Sequence, residues 1–148
     1  MTFDARTEKN LETLHPKMQE KMRQFLTIAA PFLAEKGVVA KVISGLRSYD
    51  EQDELYAQGR TKPGRIVTNA RAGYSNHNFS TAADLGLFKG EKYLPESYLY
   101  DELGPIGESV GLEWGGRWKF QDLPHYQYPT GLTMAQMRER VAKGESVI

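Results

Sequence analysis

The stretch SNHNFSTAAD, residues 75–84, places a histidine in a polar segment and an aspartate at the start of an apolar one. The residues that follow alternate as in a β-strand, AADLGLF (82–88), so Asp84 shares a face with Ala82 and Gly86 while the leucines face the other way. A buried carboxylate is costly unless it is paired or binds a metal. The small neighbours leave a hollow around Asp84. The strand therefore predicts a sheet with a core on one face and a polar site on the other.

Two histidines are candidates to face this aspartate. His77 precedes the strand, and His125 opens a later extended segment, HYQY (125–128), with Gln127 on the same face. His77 and Asp84 alone fit a metal site and a hydrogen-bonded pair equally well. His125 would bring the number of candidate ligands to three, which is typical of a catalytic zinc site with an open fourth position. Asp122 would then remain as a free carboxylate beside the metal.

Upstream, Arg47 ends a predicted strand and Gln52 lies on the inward face of the helix that follows it. Both are candidates to direct hydrogen-bond donors into the site, although an inward glutamine satisfied by the backbone is an equally good interpretation. The loop 59–80 contains Arg60, Lys62, Arg65 and Arg71 and no acidic residue. It is either a positive rim that attracts an anionic substrate or a merely solvated loop.

The remaining periodicity predicts an α+β fold, a small antiparallel sheet with flanking helices and the metal site on the sheet face. Helices are predicted after Pro16, with a kink at Pro31, over 48–59, over 97–111 with an interruption near Gly104-Pro105, and after Thr133. His15 is interpreted as a surface or capping residue. Strands are predicted over 38–44, 82–88 and 125–128, and we expect one domain spanning 1–148.

Composition narrows the function classes. Nineteen basic residues balance nineteen acidic ones, which argues against nucleic acid as a partner. The absence of cysteine excludes disulfides and leaves His, Asp and Glu to hold any metal. The longest nearly apolar run is about ten residues, well below the roughly 20 that a membrane helix needs. The N-terminus has no apolar segment of signal-peptide type, so we expect synthesis in a cytoplasm without membrane insertion.

The motifs resemble those of a known family. SNHNFSTAAD is similar to the S-x-H-x-x-G-x-A-x-D motif of zinc peptidases related to D-Ala-D-Ala carboxypeptidases, and DLPH (122–125) to their second motif. The segments SGLRSYDEQDELYAQGR and GLEWGGRWKFQDLPHYQ further resemble the branch of L-alanyl-D-glutamate peptidases found in phage endolysins and bacterial wall hydrolases. The resemblance covers roughly residues 10–128.

The resemblance implies a set of roles. Zn²⁺ would be held by His77, Asp84 and His125, with Asp122 as general base and acid and Arg47 stabilising the oxyanion. Gln52 and Ser75 would line the substrate site. The sequence departs from the motif at one position, because Ser80 stands where the family has glycine.

The same resemblance implies a peptidoglycan stem peptide as substrate, cleaved between L-Ala and D-Glu. It predicts a monomeric phage endolysin, made in the host cytoplasm and released to act on the cell wall. Two alternatives stay open, a D-Ala-D-Ala carboxypeptidase or dipeptidase with the same zinc centre, and a non-catalytic binding module that zinc stabilises. Asp122 and Arg47 argue against the module, since a structural zinc site is usually closed by a fourth protein ligand.

Overall fold

A computed structural model describes residues 2–148 and confirms the predicted α+β class. The helices are α1 (Ala5–Glu12), α2 (Pro16–Ala34), α3 (Tyr49–Ala57), α4 (Tyr98–Ser109) and α5 (Met134–Ala142). The strands are β1 (Val39–Ser44), β2 (Ala82–Lys89), β3 (Lys92–Leu94), β4 (Glu113–Trp114) and β5 (His125–Gln127). Two short 3₁₀ helices span Asn76–Phe79 and Gly115–Arg117. Of these, α1, β3, β4 and the 3₁₀ helices were not predicted from the sequence.

The sheet is antiparallel and is built around β2. Strand β2 pairs with β1 along one edge. Along its other edge, the first residues of β2 pair with β5 and its last residues pair with β3, and β4 extends the sheet beyond β5. In this register Asp84 is paired with Ser44 on one side and with His125 on the other. The sheet thus brings together two residues that are far apart in the sequence.

The face of β2 opposite Asp84 carries the core, as the alternation predicted. Ala83, Leu85 and Leu87 are fully buried there. They belong to the same hydrophobic cluster as the inward face of α2, which contributes Met18, Met22, Phe25, Leu26, Ala29 and Leu33. Burial of this apolar face explains why the 3.6-residue period of α2 was visible in the sequence.

The predicted interruption near Gly104-Pro105 is wrong, because α4 continues through both residues to Ser109. Its glycines serve packing: a Cβ on Gly104 would lie 2.3 Å from the Trp114 ring, and one on Gly107 would lie 2.5 Å from the Tyr126 ring. Similarly, α2 continues past Pro31 to Ala34. The sequence could not separate a glycine that ends a helix from one that allows close approach to an aromatic ring.

The histidine ahead of α2 has the role expected of it. His15 is the N-cap of α2, where its Nδ1 accepts from the backbone N–H of Lys17 at 3.1 Å, which confirms the capping interpretation. Among residues 2–148, no helix combines the length and the apolar character that a membrane span requires.

Candidate active site

Three side chains converge on the polar face of β2. His77 Nε2 lies 3.2 Å from one carboxylate oxygen of Asp84, and His125 Nδ1 lies 3.2 Å from the other. One donor atom from each residue lies within 4.8 Å of the other two, which suits a shared metal ion. Both histidines are buried, and Asp84 is half-buried.

Local structure explains why these atoms meet. Asp84 and His125 face each other across neighbouring strands, so the hydrogen-bond register fixes their separation. His77 comes from the first 3₁₀ helix, whose N-cap is Ser75, with its hydroxyl accepting from the His77 N–H at 3.2 Å. The His77 carbonyl in turn accepts from the Arg47 N–H at 2.8 Å, which ties this helix to the end of β1.

The outer nitrogen of each histidine has a partner of its own. His77 Nδ1 lies 2.9 Å from the carbonyl of Gly45, and His125 Nε2 lies 2.8 Å from Oε1 of Gln127. Both partners are acceptors, so each ring donates outward, and its inner nitrogen, protonated when it bonds Asp84, would offer its lone pair to a metal ion. This arrangement, with a carboxylate between two oriented imidazoles, fits a divalent metal that takes nitrogen and oxygen ligands, such as zinc.

Gln127 is a residue whose role the sequence did not reveal. Its Oε1 also accepts from Asn76 at 3.2 Å, and its Nε2 donates to Glu113 at 3.1 Å. The only signal in the sequence was its position two residues after His125, on the same strand face.

The two aspartates of the site differ in their electrostatics. Burial raises the pKa of Asp84, but hydrogen bonds from His125 and His77 outweigh it and hold that pKa well below its usual range. For Asp122, burial and the nearby Asp84 carboxylate together raise the pKa. Burial lowers the pKa of His125, but its hydrogen bond to Asp84 leaves it raised overall. Asp122 Oδ2 lies 4.0 Å from His125 Nδ1, beside the group of three candidate ligands but not part of it.

The half-buried Arg47 and the buried Gln52 form a hydrogen-bonded pair. Arg47 Nη1 donates to Gln52 Oε1 at 2.9 Å, and Gln52 Nε2 donates to the carbonyl of Ala70 at 2.7 Å. Gln52 is fully buried, as its inward helix position predicted. It does not itself line the cavity beside the metal ligands, whereas Arg47 does. Gln52 therefore reaches the site through Arg47, whose guanidinium it orients.

The cavity over the site has a volume of about 450 Å³. One wall is aromatic, because the Trp118 ring lies 5.0 Å from the ring of His125. The opposite wall comes from the loop between α3 and the first 3₁₀ helix. The lining residues are Arg47, Val67, Thr68, Ala70, Tyr74, Ser75, Asn76, His77, Asp84, Trp118, Asp122, His125, Gln127 and Met134.

Of the four basic residues of the loop 59–80, Arg65 is exposed and the other three divide into two groups. Arg60 stacks on Tyr56 at 3.9 Å and donates to the carbonyl of Thr68, and Lys62 pairs with a glutamate of α3. These two cations hold the loop together. Arg71 stacks on Tyr74, which lines the cavity. Arg71 is therefore better placed than Arg60 or Lys62 to influence a substrate.

Ser80 occupies the position of the motif glycine with a left-handed backbone (φ 60°), and it is the only non-glycine with positive φ among residues 2–148. The family's glycine is therefore explained by backbone conformation. Here the serine hydroxyl donates to the carbonyl of Thr13 at 2.9 Å, and its carbonyl accepts from the His15 N–H at 3.0 Å. These bonds offset the strain and tie the start of β2 to the turn between α1 and α2.

Comparisons with known proteins agree with this geometry. A family model described as D-alanyl-D-alanine carboxypeptidase matches residues 68–128, the segment that carries all three candidate ligands. The chain is 40% identical over 125 residues to the peptidoglycan L-alanyl-D-glutamate endopeptidase CwlK of Bacillus subtilis (strain 168), and the match covers 77% of this chain and 72% of that protein.

Solved structures show the same fold. The L-Ala D-Glu endopeptidase ChiX of Serratia marcescens superposes with a TM-score of 0.65 at 25% identity, over 88% of this chain and 92% of that one. The vancomycin resistance D,D-pentapeptidase VanY, solved in complex with Zn(II), superposes with a TM-score of 0.55 at 16% identity, over 90% of this chain and 81% of that one. The second likeness shows the fold alone.

Proposed function

Because the chain belongs to the peptidase family of the D-alanyl-D-alanine carboxypeptidases, we propose that it is a zinc-dependent peptidoglycan endopeptidase that hydrolyses the L-Ala–D-Glu bond of the stem peptide. One observation carries the proposal: His77, Asp84 and His125 converge while both outer ring nitrogens are engaged elsewhere. The bond specificity is supported by CwlK and ChiX, whose names give that activity.

Zinc would be held by His77 Nε2, Asp84 and His125 Nδ1, and when bound it would polarise the scissile carbonyl and acidify a water molecule. Asp122 is the carboxylate positioned to take a proton from that water and pass it to the leaving amine. Its raised pKa suits this role, because a carboxyl of ordinary acidity accepts protons poorly near neutral pH.

Arg47 would stabilise the negative charge that develops on the carbonyl oxygen. Its guanidinium is a rigid fork of five N–H donors, so hydrogen bonds to Gln52 and Ser44 leave others available to the cavity. Ser75 lines the same cavity, but its hydroxyl caps the helix that carries His77. We propose that it contributes to substrate binding mainly by holding this helix in place.

The substrate chemistry agrees with the charges at the cavity. In the stem peptide, D-Glu carries a free α-carboxylate next to the scissile amide. Arg47 lines the cavity and Arg71 stacks on the lining residue Tyr74, so both can attract this carboxylate. We further propose that the enzyme is a monomeric phage endolysin, made in the host cytoplasm and acting on the wall after release, by analogy with the motifs of that branch.

The test is digestion of purified cell-wall sacculi followed by mass spectrometry, with and without a chelator. We expect peptides with a new amino-terminal D-Glu and glycan strands that retain lactyl-L-Ala. Neither product should form when the chelator is present. Release of free D-Ala with the L-Ala–D-Glu bond intact would instead identify a carboxypeptidase, which the description of the matching family model keeps as the second candidate. No cleavage with zinc present would leave the binding-module alternative.

A further inference from the structure

The C-terminal helix α5 packs against the catalytic cavity from outside the segment that the family model matches, residues 68–128. Met137 on this helix is buried in a small cluster with Phe79, two residues after His77, and with Val147. Met134 at the helix start lines the cavity itself. The helix is therefore in contact with the site at several points, although it contributes no candidate catalytic group.

Arg138 of α5 contacts the part of the cavity wall formed by Gly73 and Tyr74. Its guanidinium stacks on the ring of Tyr74, with 4.0 Å between its central carbon and the ring centroid. Its Nη1 also donates to the carbonyl of Gly73 at 3.0 Å. On the same ring, the guanidinium of Arg71 lies 4.9 Å from the centroid. Tyr74 is thus held by cations from two different parts of the chain.

The backbone at this point leaves little room for adjustment. Gly73 has φ +79°, and a Cβ there would lie 3.0 Å from Cδ of Arg138. The Gly73 N–H is already bound by Oδ1 of Asn78, next to His77. The backbone at Gly73 is therefore held on one side by Asn78 and on the other by Arg138, directly before Tyr74.

The wall has a second attachment, to α3. Gln52 donates to the carbonyl of Ala70, and Asp53 accepts from the N–H of Ala72 at 2.9 Å. These contacts hold residues 70–72 but do not involve Tyr74. Tyr74 lines the cavity although 44% of it is exposed, and the groups stacked on its ring are the guanidiniums of Arg138 and Arg71.

We propose that Arg138 is a positioning residue that holds Tyr74 and Gly73 as the wall of the substrate cavity, and thereby sets the affinity for the stem peptide without taking part in the chemistry. The proposal rests on the proposed peptidase function for its kinetic readout. The contacts that Arg138 makes are to Tyr74 and Gly73, so it should act on KM and leave kcat nearly unchanged.

The main test compares Arg138→Ala with Arg140→Ala, a matched change on the same helix at a residue whose side chain bonds only to the carbonyl of Ser146. Loss of one cation–π contact and one hydrogen bond should raise KM by about fivefold to tenfold, with kcat within about twofold. Zinc content should be unchanged. Arg140→Ala should behave as the wild type, and an unchanged KM in Arg138→Ala would overturn the proposal.

A double-mutant cycle separates positioning from direct substrate contact. If Arg138 acts through Tyr74, adding Arg138→Ala to Tyr74→Ala should raise KM little further. Additive effects of the two substitutions on KM would show that Arg138 binds substrate by itself and would contradict the proposal. Tyr74→Phe keeps the ring and should retain near-normal KM. Arg138→Lys keeps a cation but not the planar fork, so its KM should lie between those of the wild type and Arg138→Ala.

Hydrogen–deuterium exchange gives a readout that needs no substrate. Exchange over residues 72–76 should increase in Arg138→Ala and stay at the wild-type level in Arg140→Ala. If the wild type fails to cleave L-Ala–D-Glu, the proposed function fails while this measurement still decides the role of Arg138. If exchange is the same in both variants, the positioning role is wrong even when the wild type is an active endopeptidase.

Discussion

Asp84 and Asp122 belong to one site, but their surroundings shift the pKa values of the two carboxyls in opposite directions. The hydrogen bonds of two imidazoles keep the pKa of Asp84 low, whereas burial and the Asp84 charge raise that of Asp122. A carboxylate that stays ionised suits metal binding, and one with a raised pKa suits proton transfer. The difference in environment assigns separate roles to residues of the same type.

Asp122→Asn tests this separation. The amide keeps the size of the side chain but cannot carry the proton, so we expect turnover to fall by about 10²–10⁴-fold while zinc content and melting temperature stay near the wild type. Elemental analysis and a wall-clearing assay measure metal content and turnover. Asp84→Asn is the contrasting variant, and it should lose metal and activity together. If Asp122→Asn loses its zinc, Asp122 is a ligand.

Gln127 offers a second test at a single side chain. It accepts from the outer nitrogen of His125, and loss of such a partner typically lowers metal affinity by about 10–100-fold. We expect that loss in Gln127→Ala, measured by competition with a chromophoric chelator. Gln127→Glu keeps an acceptor at the same place and should retain affinity. Equal affinity in the wild type and both variants would show that His125 needs no partner to orient it.

Between elements, the loop that carries His77 is anchored at both ends. Ser75 caps the 3₁₀ helix at its start, and Ser80 connects its end to the turn between α1 and α2. The site thus depends on helices that contribute no functional side chain. This dependence explains why a short irregular segment holds a buried histidine in one orientation.

Ser80 is strained and hydrogen-bonded at once, which predicts different results for two small substitutions. Ser80→Gly relieves the left-handed backbone but loses the bond to Thr13, so its unfolding free energy should change by less than about 1 kcal/mol. Ser80→Ala keeps the strain and loses the bond, and it should destabilise by about 1 kcal/mol. Urea denaturation of both variants measures the difference. An alanine variant as stable as the glycine variant would rule out this account.

The contact between α1 and α2 predicts a pH dependence. Hydrogen bonds from Arg23, aided by the N–H of Phe3, lower the pKa of Glu8 from 4.5 to about 2. Because the folded pKa is lowered, the stabilisation is present above pH 4.5 and is lost as pH falls from 4.5 toward 2. We expect Glu8→Gln to be less stable than the wild type near neutral pH and to approach it as the pH nears 2. Denaturant unfolding at these pH values measures the gap, and a gap independent of pH would contradict the assignment.

For the whole molecule, metal binding and folding should be coupled. The three ligands come from the 3₁₀ helix and two strands, so the site exists only in the folded chain. Zinc at about 100 times its dissociation constant should add about 2.7 kcal/mol of stability, and a chelator should remove it. Differential scanning calorimetry with and without chelator measures the shift in melting temperature. His77→Ala is the control, and an equal shift in that variant would place the stabilising metal elsewhere.

The sequence predicted the parts of this molecule that repeat a local pattern. The faces of β2 follow from alternation and the inward position of Gln52 follows from helical spacing. The starts of α3 and α5, capped by Ser48 and Thr133, lie where the sequence predicted them. The sequence did not predict β3 and β4, because strands of three and two residues are too short for alternation to show. Nor did it predict that Arg138 lies against Tyr74, since a contact between residues so far apart depends on how the elements pack.

The pairing of Asp84 with His125 across neighbouring strands has a consequence for engineering. The hydrogen bonds between β2 and β5 fix the separation of the two residues. The number of residues between them in the chain can therefore vary as long as this strand pairing is kept. The turn between β2 and β3 is the natural place to lengthen it, because Gly90 is exposed there and a Cβ at this position would meet nothing within 4 Å. Gly90 lies about 20 Å along the strand from Asp84. A wall-targeting module inserted into this turn should yield a chimeric peptidase that keeps the geometry of its site.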